Sequence, residues 1–142
     1  MSAGTGVRHS EFNASATEEA HLFQIWIEPD AHGHAPRYSQ ETLSDVLTPN
    51  RLHLFVSKDG RQGSTAIHQD ADVFTARLKK GVSLSHEFGE GRIGWVQMAE
   101  GDLTLNDLPL GTSDGAAIED EKEIHLTAQQ DSEFLLFDMG PV

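Results

Sequence analysis

Between Leu52 and Asp138 this chain is a train of short apolar or alternating runs, each closed by Gly, Asn or Asp, and that pattern constrains the fold more than any other feature. The runs are Leu52 to Val56, Thr65 to His68, Val73 to Leu78, Val82 to His86, Arg92 to Met98, Asp102 to Leu105, Ala116 to Glu119, Glu123 to Ala128 and Glu133 to Asp138, with one more upstream, Leu22 to Ile27. They are too short for stable helices, and their period is nearer two than 3.6, so they read as strands. Many short strands at near-regular spacing predict an all-β sandwich or antiparallel barrel. Asp59-Gly60, Glu100-Gly101, Asn106-Asp107 and Asp114-Gly115 sit where hairpins need turn residues. Only Gln40 to Leu47 has helical spacing, through Leu43, Val46 and Leu47. The alternation predicts a core of Leu54, Ile67, Leu103, Leu105, Ile118, Leu126, Leu135 and Phe137, and it also buries Trp95 and Phe134.

The stretch from Pro29 to Pro49 breaks the pattern, with three prolines, polar residues and little to anchor a strand. It reads as a connector, residues 29–51, between a leading piece, residues 1–28, and a barrel over 52–142. At 142 residues and 37% hydrophobic content the chain holds one core and an appendage, whereas two full barrels need roughly 200 residues or more. The net charge of −13 excludes nucleic acid and anionic membrane surfaces as partners, since both polyanions would repel the chain. There is no cysteine, hence no disulfide and no thiolate metal site. With no basic-then-apolar leader and no long apolar run, the sequence predicts a soluble, untargeted, cytoplasmic chain.

The chemistry that stands out lies at the start, in Gly4-Thr5-Gly6-Val7-Arg8-His9-Ser10-Glu11-Phe12-Asn13. Two residues apart on a strand, His9 and Glu11 share a face and can reach one cation. They are two ligands where an open metal site needs about three or four. The same alternation rules out a nucleophilic triad of His9, Ser10 and Glu11, because neighbours point to opposite faces. Gly89-Glu90-Gly91 is acidic and lies between strands, the wrong setting for a phosphate cradle.

The spacing Gly4, Gly6, His9, Asn13 is similar to the second metal motif of cupin barrels, with Gly where the motif has Pro. The fuller run through Ser10 and Glu11 resembles the pirin family, in particular the bacterial quercetinase-type pirins. The resemblance continues through Leu22-Phe23-Gln24-Ile25-Trp26-Ile27, Ala35-Pro36-Arg37-Tyr38, Ile67-His68-Gln69-Asp70-Ala71-Asp72, Trp95-Val96-Gln97, Ser113 to Ile118 and Glu133 to Asp138. It implies a cupin-type antiparallel barrel or jelly roll, preceded by the last strands of another cupin barrel. It also implies a divalent metal, iron with nickel or manganese as alternatives, held by His9 and Glu11 together with two histidines of an H-P-H-R-G-F motif. That motif is absent here. Met1 falls where family members carry an internal Met, so the expectation is a chain that has been shortened, given a misplaced start, or become a short paralogue.

Tested against the cupin metal pattern, the barrel over 52–142 does not fit. With Gly101 as the closing Gly, the carboxylate position falls on Gly94 and the histidine positions fall within Glu87 to Glu90, with His86 out of register. Counting from Gly115 places the last ligand on Leu126, beside His125, and a slip of one residue turns a strand side chain to the other face. His32-Gly33-His34 has no Glu following at the expected distance and reads as loop. His68 reads as a structural histidine beside acidic residues, and His21, His53, His86 and His125 show no partner pattern.

Three functions are in view. The resemblance implies a quercetin 2,3-dioxygenase, with Glu11 as metal ligand and base and a flavonol or other small aromatic as ligand. The ligand count favours a C-terminal cupin module without activity of its own, binding metal weakly and turning over no quercetin. A protein-interaction role, as for eukaryotic pirins, is the third. Leu22 to Ile27 would have an unpaired edge, so it is expected to fold back on the barrel, pair in a homodimer with the same segment of another chain, or stay exposed and promote aggregation.

Overall fold

The computed structural model of the chain describes residues 1–43 and 47–141. Its strands are β1 (His53–Ser57), β2 (Thr65–Ala66), β3 (Ala71–Leu78), β4 (Ser83–Glu87), β5 (Ile93–Glu100), β6 (Leu103–Leu105), β7 (Leu108–Leu110), β8 (Gly115–Ile118), β9 (Glu123–Ala128) and β10 (Ser132–Met139), with one short 3-10 turn at Arg61–Gly63. They form a six-stranded sheet in the order β2-β1-β3-β10-β5-β8 and a four-stranded sheet in the order β4-β9-β6-β7. All pairings are antiparallel except the short β1–β2 pair. The two sheets enclose one apolar interior in the manner of a jelly roll, as the strand spacing predicts.

Alternation places the core. On β10, Ser132, Phe134, Leu136 and Asp138 face inward, and Phe134 and Leu136 are fully buried. They meet Val96 and Met98 from β5, Ala76 and Leu78 from β3, and Leu103, Ile124 and Leu126 from the opposite sheet. Burying each such side chain contributes about 1.5–3 kcal/mol. Turn chemistry sets the register. Asn106 takes a left-handed φ of 50° in the two-residue β6–β7 hairpin. Gly101 is required after β5, because a Cβ there would lie 2.2 Å from the Asp131 carbonyl oxygen.

Several expectations need correction. Leu135 and Ile67 are only half-buried, and Trp95 is 38% exposed. Leu135 shares the outer face of its strand with Phe137, which is buried there and not in the interior cluster. The motif Leu108-Pro109-Leu110, not read as a strand, is β7, and Pro109 is tolerated because β7 is an edge strand. Leu22 to Ile27 has no ladder partner and is not a strand. Helical spacing over Gln40 to Leu47 falls in part on residues 44–46, outside the described ones.

The connector is not free of the barrel. The Asp30 N–H donates to the His68 carbonyl (2.7 Å), the Gln69 side chain donates to the Glu28 carbonyl (2.8 Å), and the Arg37 guanidinium donates to the Ala66 carbonyl. Arg37 also forms an antiparallel bridge with Ser2, so the first residues lie against the connector and the connector against the β2 edge. Among the described residues no helix is long and apolar enough to cross a membrane.

Candidate functional site

His9 and Glu11 lie in irregular backbone, so the shared face expected of a strand is not what brings them together. They are nonetheless neighbours, with His9 Nε2 3.8 Å from a Glu11 carboxylate oxygen, and their side chains are 40% and 56% exposed. An imidazole and a carboxylate are donors of the type that first-row divalent metals accept. Their number does not suffice. Among the described residues, no group of three or more His, Cys, Asp or Glu is placed to hold a metal ion. The pair supplies two donors, on exposed side chains.

Inside the barrel, a polar cluster missed by the sequence reading sits at one end of the core. Asp138, on an inward position of β10 and 5% exposed, faces His86 on an inward position of β4, with His86 Nε2 2.7 Å from Asp138 Oδ2. Arg92 donates to the other Asp138 carboxylate oxygen, to the Asp138 carbonyl (2.8 Å) and to Asp70 (3.0 Å). The edges of Phe74 and Phe88 close against the His86 ring. Burial pushes the Asp138 carboxyl up, but the hydrogen bonds and charges of His86 and Arg92 outweigh it, and the group ends below the usual carboxylate range. Burial likewise opposes the charge on Arg92, and Asp138 and Asp70 more than restore it. The signal was present in the sequence: a charged residue at the inward position of Phe134, Leu136, Asp138 requires a buried partner. This network ties β4 of one sheet to β10 of the other. No buried side-chain N or O among the described residues lacks a partner.

Outside that end lies a dent of about 880 Å³ between the β4–β5 and β8–β9 loops, rimmed by Glu87, Glu90, Glu119, Asp120, Glu121 and Glu123 against Arg92 and Lys122. Its acidity suits neither phosphate nor nucleic acid.

The other histidines sort as follows. His34 and His68 stack face to face, with ring centroids 3.8 Å apart and planes 4° from parallel, and His34 also bonds Asp30 at 3.0 Å. Parallel stacked rings direct their nitrogens along separate planes, which suits a clasp for the connector better than a shared metal. His68 meets the connector through its ring stack with His34 and through its carbonyl, which accepts from the Asp30 N–H. His86 has the partner that the sequence did not reveal.

Comparison with known proteins matches residues 54–139 to the quercetinase C-terminal cupin domain and residues 1–27 to pirin. The chain is 45% identical, over its full 142 residues, to the quercetin 2,3-dioxygenase of Escherichia coli K12, and it spans 60% of that protein's length. Its fold is similar to the crystal structure of YhhW from Escherichia coli, with a TM-score of 0.77 at 38% identity over 82% of this chain and 49% of that one. It is also similar to the bacterial pirin YhhW in complex with nickel(II), with a TM-score of 0.74 over 80% of this chain and 48% of that one.

Proposed function

The chain belongs to the pirin family, and from that premise we propose that it is the C-terminal cupin module of a quercetin 2,3-dioxygenase-type, pirin-like protein, without catalytic activity on its own. One observation carries this reading. The imidazole and carboxylate that fit a metal, His9 and Glu11, are two exposed donors with no third beside them among the described residues. The barrel's own interior is filled by apolar side chains and by the His86, Asp138 and Arg92 network. In this reading the barrel contributes a stable body, and the two donors sit on the leading segment, which bridges to the docked connector at Ser2 and Arg37. The test is quercetin turnover by the purified chain under oxygen with iron, nickel or manganese supplied in turn. The expected result is a rate indistinguishable from that of the free metal.

A second reading is favoured by the closeness of His9 to Glu11 and by the nickel(II) held by a related pirin. If further donors come from another chain or segment, the pair joins a metal-dependent dioxygenase acting on a flavonol. Turnover by the purified chain that is abolished by His9→Ala would select this reading over the first.

A further inference from the structure

The connector is anchored to the barrel by an imidazole. From residue 16 to residue 42 every residue is exposed except His34. Its ring lies flat on His68 of the barrel, with centroids 3.8 Å apart and planes 4° from parallel. The hydrogen bonds across the same contact run from the Asp30 N–H to the His68 carbonyl, from Gln69 to the Glu28 carbonyl and from Arg37 to the Ala66 carbonyl. None of those donors or acceptors changes charge near neutral pH. The two stacked rings do, because imidazole gains and loses its charge between about pH 5 and 8.

The charges around the stack balance one proton and not two. On the connector, Asp30 lies 3.0 Å from His34 Nε2, and Lys58 of the barrel shares the same carboxylate at 3.6 Å. The bond to His34, and after it the charge of Lys58, hold the Asp30 carboxyl below the usual carboxylate range, so it stays ionised wherever imidazoles titrate. His32 and Arg37 bring the connector's other cationic side chains, and Glu28 its other acid. On the barrel, Asp70 and Asp72 follow His68 in the chain but are engaged by Arg92 (3.0 Å) and Arg61. From the leading segment, Gly4 lies against the His34 carbonyl, where a Cβ would come within 2.3 Å of the oxygen. Its neighbour Ser2 bridges to Arg37, next to the amino group of Met1.

We propose that the His34–His68 stack is a pH-operated latch, which holds the connector on the barrel when at most one ring is charged and releases it when both rings take up protons. One imidazolium over a neutral ring is an attractive pair, and Asp30 is there to meet its charge. Two imidazolium rings in face-to-face contact repel, and parting them removes the repulsion at the expense of three exposed hydrogen bonds. The released connector then carries one proton more than the docked one. Docking therefore weakens as pH falls, by up to about tenfold per pH unit once the second proton binds. The latch sets by pH whether the connector, and the leading segment bridged to it, lie against the barrel. It does not depend on any metal at His9 and Glu11.

The test is amide exchange of Asp30, whose N–H bonds the His68 carbonyl, followed by NMR on the whole chain between about pH 8 and about pH 5.5, with each rate divided by that of an unstructured peptide. Protection of Asp30 should fall by about tenfold toward the acid end, while Leu136 in β10 stays protected throughout. His68→Phe keeps a flat ring beneath His34 and cannot charge, so its connector should stay docked over the whole range. Asp30→Asn keeps the N–H and removes the carboxylate, so its connector should release at a higher pH than wild type. Thermal melts identify a variant whose barrel fails to fold, and wild type with the remaining variant then decides. The proposal is overturned if wild-type protection does not change with pH, if it falls equally in folded His68→Phe, or if Asp30→Asn releases at the same pH as wild type. It is equally overturned if Leu136 loses protection together with residue 30, because the acid transition would then be unfolding of the barrel.

Discussion

Residues 53–139 and residues 1–38 are both rich in large apolar side chains, yet one region buries them and the other does not. Among the described residues, nine of the eleven exposed large hydrophobics, from Met1 to Tyr38, lie in residues 1–38, and the other two, Trp95 and Leu108, lie in the barrel. In the barrel each apolar row meets another row across a paired strand and a facing sheet. In the leading segment the backbone has one isolated bridge, between Ser2 and Arg37, and Trp26 remains 88% exposed. Apolar content does not by itself make a core. A core of strands needs ladder partners, and residues 22–27 have none.

The largest expected effect follows directly. Phe134→Ala, at a fully buried position, should cost about 3–5 kcal/mol in urea unfolding, whereas Phe12→Ala, at 87% exposure, should change stability by no more than about 0.5 kcal/mol. Similar losses at the two positions would erase the distinction between the regions.

Next in size is the inter-sheet network. Asp138→Ala leaves His86 and Arg92 without their shared carboxylate, and removing one partner from a buried ionic pair should cost about 3 kcal/mol. A variant with Asp138, His86 and Arg92 all replaced by apolar residues should recover part of that loss. If the single variant were as stable as wild type, the network would be ornamental.

The same carboxylate sets an acid limit. Because the folded Asp138 is held below its ordinary value, its contribution is fully present above the unfolded carboxylate pKa of about 4 and is lost as pH falls through the lower folded value. Melting temperature against pH should therefore fall on the acid side, and Asp138→Asn should flatten that fall. An unchanged acid slope in Asp138→Asn would remove Asp138 as its source.

A smaller effect sharpens the boundary between the regions. His68→Ala removes one half of the stack with His34, so limited proteolysis within residues 1–43 should quicken while the barrel's melting temperature stays within about a degree or two, as expected for a surface change near 0.5 kcal/mol. Protection equal to wild type would show that the backbone bonds hold the connector without the stack.

Much of the barrel was legible in the sequence because its strands alternate and end in turn residues. Glu123 to Ala128 was read with its observed bounds, and Asn106-Asp107 marked the β6–β7 hairpin. Leu108-Pro109-Leu110 escaped because Pro within a run argues against a strand unless the strand is known to lie at an edge. Leu135 was misassigned because β10 is apolar on both faces, and alternation cannot choose a side when both sides are apolar. His86 and Asp138 are 52 positions apart in the chain, and only the approach of two sheets makes them partners. His9 and Glu11 were legible as a pair and remain a pair, by chain proximity instead of strand geometry.

The central claim is that a finished barrel carries an unfinished metal site, and titration of the purified chain with nickel(II) by calorimetry tests it most directly. With His9 and Glu11 as the paired donors, the account predicts weak binding that chelating buffers remove at once and that His9→Ala diminishes only slightly. Tight binding of one nickel per chain, lost in His9→Ala, would contradict it.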